Sequence, residues 1–201
     1  YYRVSGKLGV VVVTSGPGAI NSLQGLACSY YDSIPSLYFT GAPVTKALKK
    51  NKNLRQLGFQ EMEIKDMVSS FTKYSVRITD VKKISYEIDK CIHIATSGRP
   101  GPCLIDLPDD IQRMNTKLSE QKKFSSKEYK GPNLKIGVNI KKLIKMIKKS
   151  KKPLFVLGQG VRISKTISKI KEILKKTNIP YAPTWAMIDA FNPNDPKNAG
   201  S

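Results

Sequence analysis

The sequence predicts an α/β protein built of parallel sheets flanked by helices, and three observations predict it. Residues 9–14 read GVVVVT, a continuous β-branched run suited to a strand buried on both faces of a parallel sheet. The run ends in the turn Ser15-Gly16-Pro17-Gly18; apolar residues at helical spacing follow (Ile20, Leu23, Ala27, Tyr30), then a second short apolar strand over 36–40, which is βαβ order. The same order returns near the end of the chain: strand 153–157, glycine turn Gly158-Gln159-Gly160, amphipathic helix 163–176 and short strand 179–183.

Between these units, residues 42–57 are polar and Lys-rich without a period, and predict a long loop of the kind that usually carries function. A short helix is expected over 61–71 and a strand over 74–78. Asp80 is placed to cap a helix running to Thr96, with Ile84, Ile88, Cys91, Ile92 and Ala95 on its apolar face and Gly98 as its terminator. Residues 102–107 predict another buried strand. The polar stretch 116–132 reads as a linker, dividing the chain into 1–115 and 133–201. Asn139 is placed to cap a helix with Ile140, Leu143, Ile144 and Ile147 on one face and lysines on the other.

Composition narrows the function classes. Lys and Arg number 35 against 15 Asp and Glu, a formal net charge of +20. The lysines are spread along the chain and aromatic residues do not alternate with them, so the charge reads as a solvated face rather than a nucleic-acid platform. There is no apolar run of roughly 18 residues, hence no expected membrane span, and no charged-then-apolar leader is visible in the residues that start with Tyr1-Tyr2-Arg3. Cys28, Cys91 and Cys103 lie in apolar surroundings without CxxC or Cys/His spacing; this predicts buried free thiols in a reducing compartment and no metal site. His93, the only histidine, falls in the predicted helix and reads as structural, which argues against a Ser-His-Asp hydrolase. Asp109 and Asp110 are adjacent, and adjacent carboxylates seldom converge on one ion; they suit capping of the next turn.

The residues alone leave the two glycine turns open. Glycine lets a ligand approach the backbone, and a helix start offers unpaired N–H groups, but a plain packing turn has the same composition. Neither turn is GxGxxG or a P-loop. Open parallel sheets bind ligands at the carboxyl ends of their strands, and that is as far as composition and pattern lead.

Several motifs together resemble one family: TSGPGAIN (14–21), YDSIP (31–35), LGFQEMEI (57–64), FTKY (71–74), IATSGRPGPCLIDLPDDIQ (94–112) and PLFVLGQG (153–160). Their order and separation resemble thiamine-diphosphate enzymes of the acetolactate synthase, pyruvate oxidase and glyoxylate carboligase group, and LRQLGFQE (54–61) is similar to the acetolactate-synthase-like branch. The resemblance implies the latter part of a pyrimidine-binding domain followed by the start of a Rossmann-like central domain. It implies a piece of a larger 2-keto-acid carboligase or decarboxylase that is inactive and poorly soluble alone. The expected chemistry is decarboxylation of pyruvate and transfer to a second 2-keto acid, in branched-chain amino acid biosynthesis. The expected cofactors are thiamine diphosphate and Mg²⁺, the latter bound mainly by a further domain, with FAD as an option. A homodimer or homotetramer in the cytoplasm or an organelle is implied, with each site shared between subunits.

The resemblance also assigns residues. Ser15, Gly16, Pro17, Gly18 and Asn21 would bind the coenzyme beside its reacting end. Phe59 and Gln60 would reach the active site, Gln60 as a polar group near substrate. Arg99, Gly158, Gln159, Gly160, Thr184 and Trp185 match flavin-contacting positions. The family's activating glutamate falls upstream of Tyr1, outside this sequence. Two departures touch the substrate channel: Ala42-Pro43-Val44-Thr45-Lys46 replaces a Gln-Val-Pro-Arg-Arg loop, and Asp109 stands where the family has lysine. The reading from a different class is a non-catalytic basic binding module that keeps the fold, motivated by the +20 charge.

Overall fold

The computed structural model describes residues 1–48, 53–129 and 137–200, with side chains for all of these except Gly137 and Val138. The chain forms two compact units, Tyr1–Pro132 and Asn133–Ser201.

The first unit begins with helix α1 (Tyr2–Ser5), stopped by Gly6 in the left-handed conformation, and strand β1 (Gly9–Val13). Helices α2 (Pro17–Asn21) and α3 (Leu23–Tyr31) lead to β2 (Ser36–Ala42). A 3-10 turn at Thr45–Ala47, helix α4 (Ile64–Met67) and a 3-10 turn at Ser69–Phe71 precede β3 (Tyr74–Arg77). Helix α5 (Ile84–Thr96), β4 (Pro102–Pro108) and α6 (Asp109–Arg113) follow. The strands form one sheet in the order β1-β2-β4-β3, every pair parallel, with Val13 beside Thr40 and Thr40 beside Asp106. A parallel sheet collects all strand carboxyl ends at one edge, so the segments after β1, β2 and β4 meet there.

Period-two alternation divides the core between the faces. Leu37, Cys103 and Ile105 meet Cys91, Ile94 and Ala95 of α5 on one face; Tyr38 and Leu104 meet Ala19, Leu26, Ile64 and Val68 on the other. The β-branched run 9–14 does form a strand, but not one buried on both faces. It lies at the edge of the sheet, α5 packs on β2, β3 and β4, and Val10 and Val12 are left 58% and 76% exposed. The helix predicted from Ile20, Leu23, Ala27 and Tyr30 is broken at Ser22, whose hydroxyl donates back to the Ala19 carbonyl at 2.7 Å. Asp80 caps as expected, accepting from the Lys82 amide at 3.0 Å to start the 3-10 turn that feeds α5.

Residues 118–129, within the stretch that reads as a linker, lie against α5. The Gln121 side chain donates to the Val81 carbonyl at 2.9 Å and accepts from the Ser85 amide at 3.2 Å. The rings of Phe124 and Tyr129 contact His93 at 5.6 and 5.7 Å. Cys91 and Cys103 are buried and free, and the Cys91 thiol is pushed up by a thiol hydrogen bond with Cys103 and by burial; Cys28 is exposed, against the expectation of three buried thiols. It lies on α3, whose one fully buried side chain is Leu26.

Beneath the carboxyl edge lies a charged network. Asp106, wholly buried, accepts from Thr40 Oγ1 at 2.8 Å and from Arg77 Nε at 2.5 Å. The Arg77 guanidinium also reaches Glu63 at 3.3 Å and the Met62 carbonyl at 3.0 Å. Burial pushes the Asp106 carboxyl above its ordinary range, against the downward pull of Arg77 and Thr40. Burial works to lower the Arg77 guanidinium, yet Asp106 and Glu63 leave it raised.

The second unit contains α7 (Gly137–Lys149), β5 (Phe155–Leu157), α8 (Gly160–Ile163), α9 (Ile167–Thr177) and β6 (Tyr181–Pro183), with β5 and β6 parallel. Its core is Leu157, Leu174, Tyr181, Met187 and Phe191. The predicted amphipathic pattern of α7 is present, but Ile140, Leu143 and Ile144 are exposed.

Breaking the buried pair on one side strands a charge. Arg77→Met in the full-length protein is expected to cost about 3–5 kcal/mol of stability, read by urea unfolding, and Arg77→Met combined with Asp106→Leu to recover most of that loss.

Candidate cofactor site

A cleft of 790 Å³ opens at the carboxyl edge of the first unit. Val12, Val13, Phe39, Ala42, Val44 and Leu107 give it apolar walls; Thr14 and Ser15 add hydroxyls; Gly58 and Phe59 form part of its rim, and Asp109 and Gln112 complete the polar lining. Apolar walls with a few convergent polar groups suit a ring-bearing ligand.

The strand-to-helix turn is shaped by glycine. Gly16 has φ 59° and ψ −117°, a conformation that L side chains rarely adopt. A Cβ there would stand 2.7 Å from the Gln60 carbonyl oxygen and 2.8 Å from Gln60 Cβ. Pro17 follows at the first position of α2, where its missing N–H costs nothing. Gly41 of β2 passes close under the turn: a Cβ on it would lie 3.2 Å from the Ser15 amide nitrogen.

The opposing loop is held without helix or strand. Gln60 is left-handed at φ 55°. Glu61 is 6% exposed, and its Oε2 accepts from the Leu57 amide at 2.7 Å and the Gly58 amide at 3.2 Å. A Cβ on Gly58 would overlap Pro43 and stand 3.0 Å from the Ala47 carbonyl oxygen, so this loop is pressed against 43–47. That segment is tied in turn to α6: Asp110 accepts from the Thr45 amide at 2.9 Å and from Thr45 Oγ1 at 2.5 Å. The Thr45 hydroxyl and amide hold the Asp110 carboxyl below its ordinary value.

Of the residues expected at the coenzyme, Ser15 and Phe59 line the cleft and Gly16 and Gln60 touch each other beside it. Phe59 is 82% exposed. Gln60 meets Gly16 through its backbone and Cβ, and is not among the cleft-lining residues. Pro17 and Gly18 continue into α2, and Asn21 is exposed at its end. Arg99 is elsewhere: it precedes β4, at the amino end of the sheet, and its Nε donates to the Ser33 hydroxyl at 2.7 Å. Ser33 is buried with φ 57° just before β2, so Arg99 clamps that turn.

The remaining expected residues gather in the second unit. Gly158 and Thr184 follow β5 and β6, the Thr184 amide donates to the Leu157 carbonyl at 3.0 Å, and a Cβ on Gly158 would lie 4.0 Å from Thr184 Oγ1. Gln159 buries its Oε1 with no partner among the described residues, Gly160 opens α8, and Trp185 is 86% exposed. The residues that sequence reasoning did not single out are Glu61, Thr45 and the Arg77–Asp106 pair. The loop sequence around Glu61 is polar, with Gln60 and Glu63 beside it, so nothing set Glu61 apart; the partners of Thr45 and Arg77 lie too far along the chain to be read from spacing.

An open parallel sheet with a glycine turn and an apolar cleft at its carboxyl edge defines an α/β cofactor-binding protein. Residues 1–67 match the family model for the N-terminal TPP binding domain of thiamine pyrophosphate enzymes, and residues 140–201 match the model for their central domain. The chain is 32% identical to the acetolactate synthase large subunit of Lactococcus lactis subsp. lactis over 92% of its own length and 31% of that protein's. It is 32% identical to the mitochondrial acetolactate synthase catalytic subunit of Saccharomyces cerevisiae over 98% of its own length and 29% of that protein's. It is 32% identical to the chloroplastic acetolactate synthase of Arabidopsis thaliana over 97% and 28%. The chain belongs to the thiamine pyrophosphate enzyme family, and it spans about 30% of the length of these relatives.

Gly16→Ala brings a methyl group against the Gln60 backbone at a positive φ. The expected cost is about 1–3 kcal/mol, read as a lowered melting temperature of the full-length protein together with weakened coenzyme binding in a fluorescence titration.

Proposed function

We propose that this chain forms part of a thiamine-diphosphate-dependent 2-keto-acid carboligase or decarboxylase that acts on pyruvate and transfers the resulting two-carbon unit to a second 2-keto acid, as an acetolactate synthase does. In this reading residues 1–115 are part of the pyrimidine-binding domain and residues 133–201 the start of the central domain. The observation that carries it is the meeting of Gly16 with Gln60 beside an apolar cleft at the sheet's carboxyl edge. Relatives that span the chain's length are named acetolactate synthases, which supports pyruvate as substrate, an oligomeric parent and branched-chain amino acid biosynthesis as its setting.

The cleft residues fit the coenzyme's heterocyclic end. Val13, Phe39 and Leu107 offer apolar surface to a ring and exclude water, and Thr14 and Ser15 offer hydroxyls. When bound, thiamine diphosphate supplies the electron sink for loss of CO₂ from a 2-keto acid. The turn 15–18 would fix the ring edge, Phe59 would cover it from the rim, and the Gln60 amide would present donors to the substrate's oxygens. Mg²⁺ would be held mainly by a further domain; among the described residues no group of three His, Cys, Asp or Glu could hold a metal ion. For FAD, the paired turns after β5 and β6 leave the backbone at Gly158 open, with only Thr184 Oγ1 as close as 4.0 Å to a Cβ placed there, which supports a flavin in the second unit.

The basic binding module gains nothing from this cleft. In a chain of +20 charge, none of the described cleft-lining residues is Lys or Arg, and Asp109 is acidic. Among the described residues no helix is long and apolar enough to cross a membrane. The free cysteines fit a reducing compartment, the cytoplasm or an organelle interior.

The full-length protein supplied with thiamine diphosphate and Mg²⁺ is expected to release CO₂ from pyruvate, and Gln60→Ala to lower kcat/KM by roughly tenfold to a hundredfold, the scale of a mispositioned substrate. Coenzyme binding without decarboxylation of pyruvate or any other 2-keto acid would refute the reading.

A further inference from the structure

We infer that Glu61 is a positioning residue of the cleft: its buried carboxylate fastens the loop 57–61, and so holds Phe59 on the rim and Gln60 against Gly16. The consequence for turnover rests on the function proposed above; the fastening itself does not.

The loop is fixed by side chains and packing rather than by secondary structure. Residues 57–61 contain no helix or strand, so no ladder of backbone hydrogen bonds sets their conformation. One oxygen of Glu61 gathers two amides of its own loop, Leu57 at 2.7 Å and Gly58 at 3.2 Å, while the Glu61 amide donates back to the Gly58 carbonyl at 3.2 Å. A carboxylate 6% exposed is costly to keep unless it is hydrogen-bonded, and an apolar residue would fill the same volume at lower cost. The carboxylate's contribution includes two charge-assisted bonds to the backbone of its own loop.

The geometry passes this restraint to the site. Between the bonded amides and Glu61 lie only Phe59 and Gln60, the exposed rim aromatic and the left-handed residue. Gln60 at φ 55° is in a conformation that a free loop abandons. Gly16 has surrendered its side-chain space to Gln60, so any shift of that residue opens a void beside the turn. On the other side, Gly58 is pressed on Pro43 and the Ala47 carbonyl, and 43–47 is tied to α6 through Thr45 and Asp110. Glu61 thus sits where two rim segments and the glycine turn are joined, without lining the cleft itself.

The test uses the full-length protein. Hydrogen exchange of the peptide covering 54–62, measured without coenzyme, is expected to speed up roughly tenfold in Glu61→Ala, the equivalent of losing a hydrogen bond to a charged group. Glu61→Asp, with the charge kept and the reach shortened, should show the same increase; Glu61→Gln, which keeps one acceptor oxygen, should recover most of the protection. In the loaded enzyme kcat/KM for pyruvate should fall about tenfold in Glu61→Ala and Glu61→Asp and be largely rescued in Glu61→Gln, with exchange elsewhere unchanged. Unchanged exchange in this peptide overturns the fastening. Faster exchange with unaltered turnover overturns the positioning role. Should Glu61→Ala fail to fold, Glu61→Asp and Glu61→Gln decide the matter on the same readouts. A wild-type protein inert toward every 2-keto acid defeats the proposed reaction, while the exchange result still judges Glu61.

Discussion

Gly16 has no side chain, and the place its Cβ would take belongs to the backbone and Cβ of Gln60. That close fit joins the strand-to-helix turn to the irregular loop 57–61, and the packing of Ala19 with Ile64 supports it just beyond each segment. The turn needs a φ of 59°, which costs glycine little, and the loop needs Gln60 left-handed, which its neighbours must enforce. The cleft follows from this contact. Were the two to separate, Phe59 would lose its seat on the rim and the walls contributed by β1 and β2 would face open solvent.

The sheet supplies the platform for that contact. Parallel pairing places the ends of β1, β2 and β4 side by side, so Thr14, Gly41 and Leu107 arrive at one edge. Beneath them Asp106 is fixed by Thr40 and Arg77, with Arg77 reaching on to Glu63 and the Met62 carbonyl. This buried network carries the conformation of the central strands to the stretch just after Glu61. Stability of the sheet and geometry of the rim therefore share residues, and a substitution at Arg77 would be felt at both. Buried charge of this kind is weak evidence for stability gained, since apolar replacements often do as well; its plainer effect is to select one arrangement of the strands.

Much of the fold was legible because parallel strands announce themselves by β-branched runs and helices by period. The run 9–14, the glycine turn after it, the Asp80 cap and the strand near 102 were all readable from local pattern. What local pattern hides is the neighbour. GVVVVT cannot say that it lies at an edge of this sheet, so Val10 and Val12 read as core and are exposed. A polar stretch such as 118–129 looks like a tether until Gln121, Phe124 and Tyr129 find partners on α5. At the site, the turn 15–18 was visible as glycine chemistry and its ligand class came from resemblance. The contact with Gln60, the Thr45–Asp110 tie and the Arg77–Asp106 pair depend on register between distant segments, which spacing along the chain does not encode. Arg99 shows the reverse case: it shares a motif with β4 but faces the amino end of the sheet, where it clamps Ser33.

The most direct measurement is a crystal structure of the full-length protein with thiamine diphosphate bound. The account predicts the coenzyme's heterocycle in van der Waals contact, within about 4 Å, with the backbone of residues 15–18, Phe59 alongside and Gln60 still filling the space above Gly16. A coenzyme seated elsewhere, with the 15–18 turn turned toward packed side chains, would contradict it.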